Sequence, residues 1–171
     1  MDEIKKLLDT YFDLDIKWVF GALVISLISF IFISKTMTRK RAIVAALLCF
    51  YMLVVLSYTV LSRPTTGQMH YRFEPLWSYK LFGSSLFYRE QILLNIALYV
   101  PIGFMLPIVN GKYRLSVLIG LSFSSVIELL QLVTTVGLFE FDDIISNTVG
   151  AVIGCGCLWV VRRIMRRRKP V

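Results

Sequence analysis

Residues 42–61 read AIVAALLCFYMLVVLSYTVL, an apolar run without a single charged side chain. A helix rises 1.5 Å per residue, so about 20 apolar residues cross the roughly 30 Å hydrocarbon core of a bilayer. The run therefore predicts a membrane-crossing helix. Four further runs match it on either side, giving candidate spans at 17–34, 42–61, 91–109, 115–136 and 144–161. Residues 18–34, WVFGALVISLISFIFIS, are likewise uncharged. The third span holds Asn95 and Pro101, the fourth holds Glu128, and the fifth is short and rich in glycine. The expected fold is all-α: a polytopic membrane helix bundle of about five transmembrane helices. An aromatic segment outside the cytoplasm should lie against its surface.

Composition agrees. The chain has 171 residues, 57% hydrophobic and 18% charged, with a mean hydropathy of +0.71. Soluble domains carry about 25% charged residues. An ordinary soluble enzyme, a disordered chain and a disulfide scaffold are thereby excluded. Cys49, Cys155 and Cys157 all fall in apolar runs, where free cysteine behaves as a small hydrophobe. The net charge of +8 does not point to nucleic acid, because the basic residues flank the spans. Six of the 19 Lys and Arg lie in residues 162–171, and four more are Lys35, Arg39, Lys40 and Arg41.

That distribution predicts an orientation. With five spans and the basic tail in the cytoplasm, the N-terminus lies outside. Twelve Lys and Arg then fall inside and seven outside, in line with the positive-inside rule. The expected localisation is a cell membrane, multi-pass, N-terminus out and C-terminus cytoplasmic. The expected organisation is an interfacial N-terminal segment at 1–16, a transmembrane bundle at 17–161, and a basic tail at 162–171. Within the first segment Ile4, Leu7, Leu8 and Tyr11 recur at helical spacing. The acidic start lacks a signal-peptide pattern, so the first span is read as retained. The loop at about 62–90 carries Trp77, Tyr79, Phe82, Phe87 and Tyr88, side chains suited to the membrane–water boundary, and should fold back on the outer face.

Polar groups inside spans single out the candidate site. An ionisable residue there costs a few kcal/mol to insert, about 2.5–3.5 even on the lenient scale. Glu128 lies about 20 Å along the fourth span, in its outer half. Gln131 follows at i+3, Ser124 precedes at i−4 and Thr135 follows at i+7, so all four should share one helix stripe. Asp143 and Asn147 share a face at the start of the fifth span, and Asn95 lies about one turn into the third. The topology sets Asn95, Glu128, Gln131, Asp143 and Asn147 at one outer-leaflet level. Arg63, just past the second span, is placed either to clamp a phosphate or to pair with these acids, and equally to snorkel as a flanking residue. Interhelical glue and function are both open for Asn95, Gln131 and Asn147. For Glu128 and Asp143, expected to face one another, function is the preferred reading. Glu140 and Asp142 read as solvated loop residues, with Asp142 and Asp143 also placed to cap the fifth helix.

Small and special residues carry packing information. Ser146, Gly150 and Gly154 form a small-residue face, read as packing within the chain in preference to a dimer contact. Pro101 should kink the third span.

The segments LSR at 61–63, EPLWSY at 74–79, NIALYVPIGFMLP at 95–107, SSVIELLQ at 124–131 and EFDDIISNTVGAVIG at 140–154 together resemble the VanZ-like family of bacterial membrane proteins. The resemblance covers a core of about 60–155, with the first span and the tail outside it. It implies that Asn95, Pro101, Gly103, Glu128, Gln131, Asp143, Asn147 and Gly150 are signature positions. Two departures stand out. This chain has Arg72 and Phe73 where many members have Asn-Leu, and Gly137 where many have Arg. If that arginine neutralises the acids, its task falls here to Arg63 or Arg72. The family's namesake is associated with resistance to teicoplanin and related lipoglycopeptides, so the resemblance implies a place at the outer face of a bacterial cell membrane.

Two functions are expected. The first is a non-enzymatic factor at the outer face of the membrane, acting on or near lipid-linked cell-wall components, with a membrane lipid, a lipid-linked precursor or a lipoglycopeptide as partner. The absence of a His near the acids, and hence of a nucleophile–base pair, favours it. The alternative is an intramembrane enzyme acting on a lipid-linked phosphate or glycosyl substrate, with Glu128 and Asp143 as catalytic candidates. No cofactor is identified in the sequence; a divalent cation such as Mg²⁺ enters only through that alternative. A transporter is disfavoured, since no inverted repeat is visible.

Overall fold

The structure is a computed structural model and describes residues 15–167. The expected interfacial helix at 4–12 and the last residues of the basic tail lie outside them. Five long helices are found: α1 (Ile16–Ile33), α2 (Arg39–Leu56), α4 (Leu86–Asn110), α5 (Tyr113–Thr134) and α6 (Phe141–Arg167). A π-helical turn, Ser57–Leu61, continues α2. The one-turn helix α3 (Trp77–Lys80) and the strands β1 (His70–Arg72) and β2 (Leu138–Glu140), which pair with each other, complete the chain. All five long helices have the length and apolarity to cross a membrane, so the fold is an all-α polytopic bundle.

Local chemistry sets the ends. Asp15 caps α1, accepting the Lys17 amide at 3.2 Å and pairing with the Lys17 ammonium at 2.6 Å; these bonds hold its carboxyl below the ordinary value of 3.8. α4 stops at Gly111, whose φ of 76° would strain any side chain. α5 stops at Thr135, a β-branched residue held at φ 54°, so Thr135 leaves the helix stripe expected to carry it with Glu128. Its carbonyl accepts both the amide and the hydroxyl of Thr66, at 2.7 and 2.8 Å, which fixes that turn.

The described residues fall into two compact units. The first holds α1, α2 and the segment 129–138. Here Ser26 donates to the Ala46 carbonyl at 2.6 Å, joining α1 to α2. The π-turn is tied by Ser62 N–H to Ser57 C=O at 2.8 Å, and Ser57 and Thr59 hydroxyls bond back to Leu53 and Val55 carbonyls. Gln131 donates its amide to the Thr59 carbonyl at 3.0 Å, satisfying an acceptor that the helix end leaves over.

The second unit comprises residues 71–128 and those from 139 on. Its centre is the contact of α4 with α6. A Cβ at Gly150 would collide with the Ile96 carbonyl, one at Gly154 with that of Val100, and one at Gly103 with that of Ala151. Backbones this close gain van der Waals packing, the main force between helices in lipid. The Ser146–Gly150–Gly154 face is therefore consumed within the chain, as the spacing suggested. Tyr99 and Ile102 fill the seam at 1% and 0% exposure. α4 continues through Pro101 and Pro107. Pro107 has no N–H to give the Gly103 carbonyl; the Cys155 thiol donates to that carbonyl instead, at 3.2 Å. α6 runs on to Arg167, and Arg162 bonds the Tyr113 hydroxyl at 3.2 Å and the Pro107 carbonyl at 3.3 Å. The basic tail thus begins as packed helix.

Candidate functional site: a buried acid-and-amide cluster

The starts of α4 and α6 meet Glu128 of α5 at one end of the second unit. Asp142 organises the segment above them. Its carboxylate accepts the Leu76 amide at 2.5 Å and both the amide and hydroxyl of Ser78 at 2.7 Å. Leu76 sits at φ 62°, a left-handed conformation that directs its N–H toward Asp142 and starts α3. Three donors to one carboxylate amount to an N-cap supplied from another helix. Tyr79 adds a bond to Ser146 at 2.8 Å. Asp142 is only 3% exposed. The expectation that Asp142 and Glu140 are solvated loop residues is overturned: Glu140 is 5% exposed. Position in a loop-like stretch misled, because the aromatic segment folds over it.

Glu140 is the hub. One carboxylate oxygen accepts Gln91 at 2.6 Å, the other lies 3.6 Å from the Arg72 guanidinium, and its backbone N–H donates to Glu128 at 3.1 Å. Glu128 itself is 2% exposed. The same Gln91 amide reaches Asp143 at 3.5 Å. One turn further along α6, Asn147 donates to Ser124 of α5 at 2.8 Å. Arg72 also lies over the Trp77 ring, 4.5 Å from its centroid, and Trp77 meets Tyr88 edge-on at 6.5 Å. Of the two arginines that the sequence offered as counter-charge, Arg72 makes an ion pair with the cluster.

Among the described residues, four buried polar atoms of this end have no hydrogen-bond partner: Trp77 Nε1, Gln91 Oε1, Asn95 Nδ2 and Asn147 Oδ1. Such groups are rare in native proteins. Among the described residues, no group of three His, Cys, Asp or Glu side chains is arranged to hold a metal ion.

The remaining candidates lie in the first unit. Gln131 is spent on the Thr59 carbonyl, and Arg63 places its guanidinium 3.4 Å from where a Cβ on Gly137 would stand. Gly137 thereby leaves room for an arginine that comes from elsewhere in the chain. Residue spacing did not single out Gln91, Ser78 or Trp77 as site residues. Gln91 had a signal, since it lies one turn before Asn95 on the same face. Ser78 and Trp77 had only the EPLWSY segment.

The family model described as VanZ/LLP1 matches residues 20–162. The match is wider than the expected core of 60–155 and takes in α2 and nearly all of α1. No curated protein and no solved structure matches the chain.

Proposed function

The chain belongs to the VanZ/LLP1 family, and from that premise we propose that this multi-pass membrane protein acts at the outer face of a bacterial membrane, binding a lipid-linked cell-wall component or a lipoglycopeptide without transforming it. One observation carries the proposal: Glu128, Glu140, Asp142 and Asp143 gather at one end of the second unit under an aromatic segment, hydrogen-bonded through Gln91 and the Glu140 backbone. Burying carboxylates in a membrane protein is costly unless they are used. The one histidine of the chain, His70, is exposed on β1, and Ser124 is buried with its hydroxyl bonded to Asn147, so neither forms the base–nucleophile pair of an acyl-transfer enzyme.

The test is protection of a susceptible host against teicoplanin. Glu128→Gln and Asp143→Asn keep shape and remove charge. Each should abolish most protection while membrane protein level stays at wild type. Full protection by both variants would assign these residues to structure alone. A chemically altered lipid that accumulates with wild type and not with Glu128→Gln would replace the binding reading by a catalytic one.

A further inference from the structure

At the other end of the second unit, where α4 turns into α5 and α6 nears its close, stand Lys112, Arg114, Arg162, Arg163, Arg166 and Arg167. Residues 91–127 and 144–171 contain no Asp or Glu. Among the described residues, none of these six cations is in an ion pair. One of them is fixed in place. Arg162 donates to the Tyr113 hydroxyl at 3.2 Å and to the Pro107 carbonyl at 3.3 Å, and its guanidinium lies over the Tyr113 ring, 5.7 Å from the centroid. The turn that carries Tyr113 is itself tied. The Asn110 side chain accepts the Lys112 amide at 2.8 Å and donates to the hydroxyl of Ser116, which is fully buried, at 3.1 Å. Tyr113 stands between Lys112 and Arg114, both exposed. We propose that this end binds the phosphate of an anionic phospholipid, with Arg162 as the fixed cation and Lys112 and Arg114 beside it. The acid cluster lies at the opposite ends of α4 and α6, so neither reading depends on the other.

Arg162 is half-buried, and taking a cation partly out of water without a counter-charge is costly. A guanidinium has more N–H donors than the two that Tyr113 and Pro107 engage. A phosphate diester supplies the missing charge and accepts the spare donors in a fork geometry. Lys112 and Arg114 add charge at the start of α5, whose first turn has no acid and whose dipole is positive there. The occupant is a lipid, because apolar side chains border the cations. Leu115 and Leu118 on α5 and Trp159, Ile164 and Met165 on α6 are all exposed. Arg163 lies over the Trp159 ring, 5.1 Å from its centroid, the pairing of aromatic and cation that suits headgroup level. α4, α5 and α6 each have the length to cross a bilayer, so their ends reach the level of lipid phosphates. Acyl chains cover the apolar border with hydrocarbon, whereas a nucleic acid would lay phosphates on it.

The experiment uses the full chain in nanodiscs of phosphatidylglycerol and phosphatidylcholine in equal amounts, at about 0.15 M salt to screen distant charges. A nanodisc opens both faces to solvent, so the orientation of the chain does not enter. Lipids retained on the protein are read by native mass spectrometry. Phosphatidylglycerol should be retained over phosphatidylcholine by about tenfold, the scale of one hydrogen bond between charged groups. The double variant Lys112→Gln with Arg114→Gln should remove most of that preference at an unchanged thermal melt. Arg162→Lys, which keeps the charge and loses the fork, should weaken it; if that variant melts early, the double variants decide alone. Arg39→Gln with Lys40→Gln removes the same charge from the start of α2 and should leave the preference in place. Equal retention of both lipids by wild type, an equal drop in the two double variants, or full preference in Lys112→Gln with Arg114→Gln would overturn the proposal. Displacement of the lipid by soluble glycerol phosphate would overturn it in favour of a free phosphate. Binding of a single-stranded oligonucleotide in place of the lipid would overturn it in favour of nucleic acid.

Discussion

Asp142 holds the segment that folds over the start of α6. Three hydrogen bonds from Leu76 and Ser78 end on its carboxylate, and together they hold Leu76 in a conformation that costs a non-glycine residue about 1–2 kcal/mol. Asp142→Asn keeps one acceptor oxygen and turns the other into a donor facing N–H groups. Bonds to a charged group are worth about 1.5–3 kcal/mol each, so we expect a destabilisation of about 2–4 kcal/mol, read as a lowered melting temperature with faster proteolysis between residues 70 and 85. An unchanged melt and cleavage rate would show that the carboxylate is dispensable. Sequence alone favoured Asp143 over Asp142. Adjacent residues on a helix point 100° apart, and nothing local says which of two acids faces the protein. That choice depends on a segment more than 60 residues earlier in the chain folding over α6. By contrast, Glu128 was legible, because a lone carboxylate in an apolar run has few places to go.

At the scale of elements, the five spans were legible because each is an apolar run of bilayer length. Their ends were less so. α4 begins at Leu86, earlier than the apolar run, because Arg89 and Glu90 remain helical beyond the expected span. The π-turn after α2 had no sequence signal, since its geometry is held by Gln131 from a distant part of the chain. The glycine face of α6 was read correctly, and its consequence is sharp. Gly150→Ala would set a methyl into the Ile96 carbonyl, whereas a Cβ at Gly156 meets nothing within 4 Å. We expect Gly150→Ala to cost about 2 kcal/mol or more by overpacking and Gly156→Ala to leave stability unchanged, by thermal unfolding in the same detergent. Equal melting temperatures would mean that α4 and α6 do not approach as closely as their backbones indicate.

For the whole molecule, the uneven distribution of Lys and Arg argues that the N-terminus is outside and the tail inside. Single cysteines at position 5 and position 169, in a chain lacking Cys49, Cys155 and Cys157, would report this. A membrane-impermeant thiol reagent should label position 5 in intact cells and position 169 only after lysis; the opposite pattern would invert the topology. The same experiment bears on the acid cluster, which would then face away from the partner it is proposed to hold. α6 makes the orientation a matter of force as well as of counting. Asp142 and Asp143 stand in its first turn and Arg166 and Arg167 in its last. Each elementary charge carried across 100 mV changes the energy by about 2.3 kcal/mol. In a cell whose interior is negative, acids outside and arginines inside would both lie downhill, so in the proposed orientation the voltage that the membrane maintains would also work as a clamp on this helix.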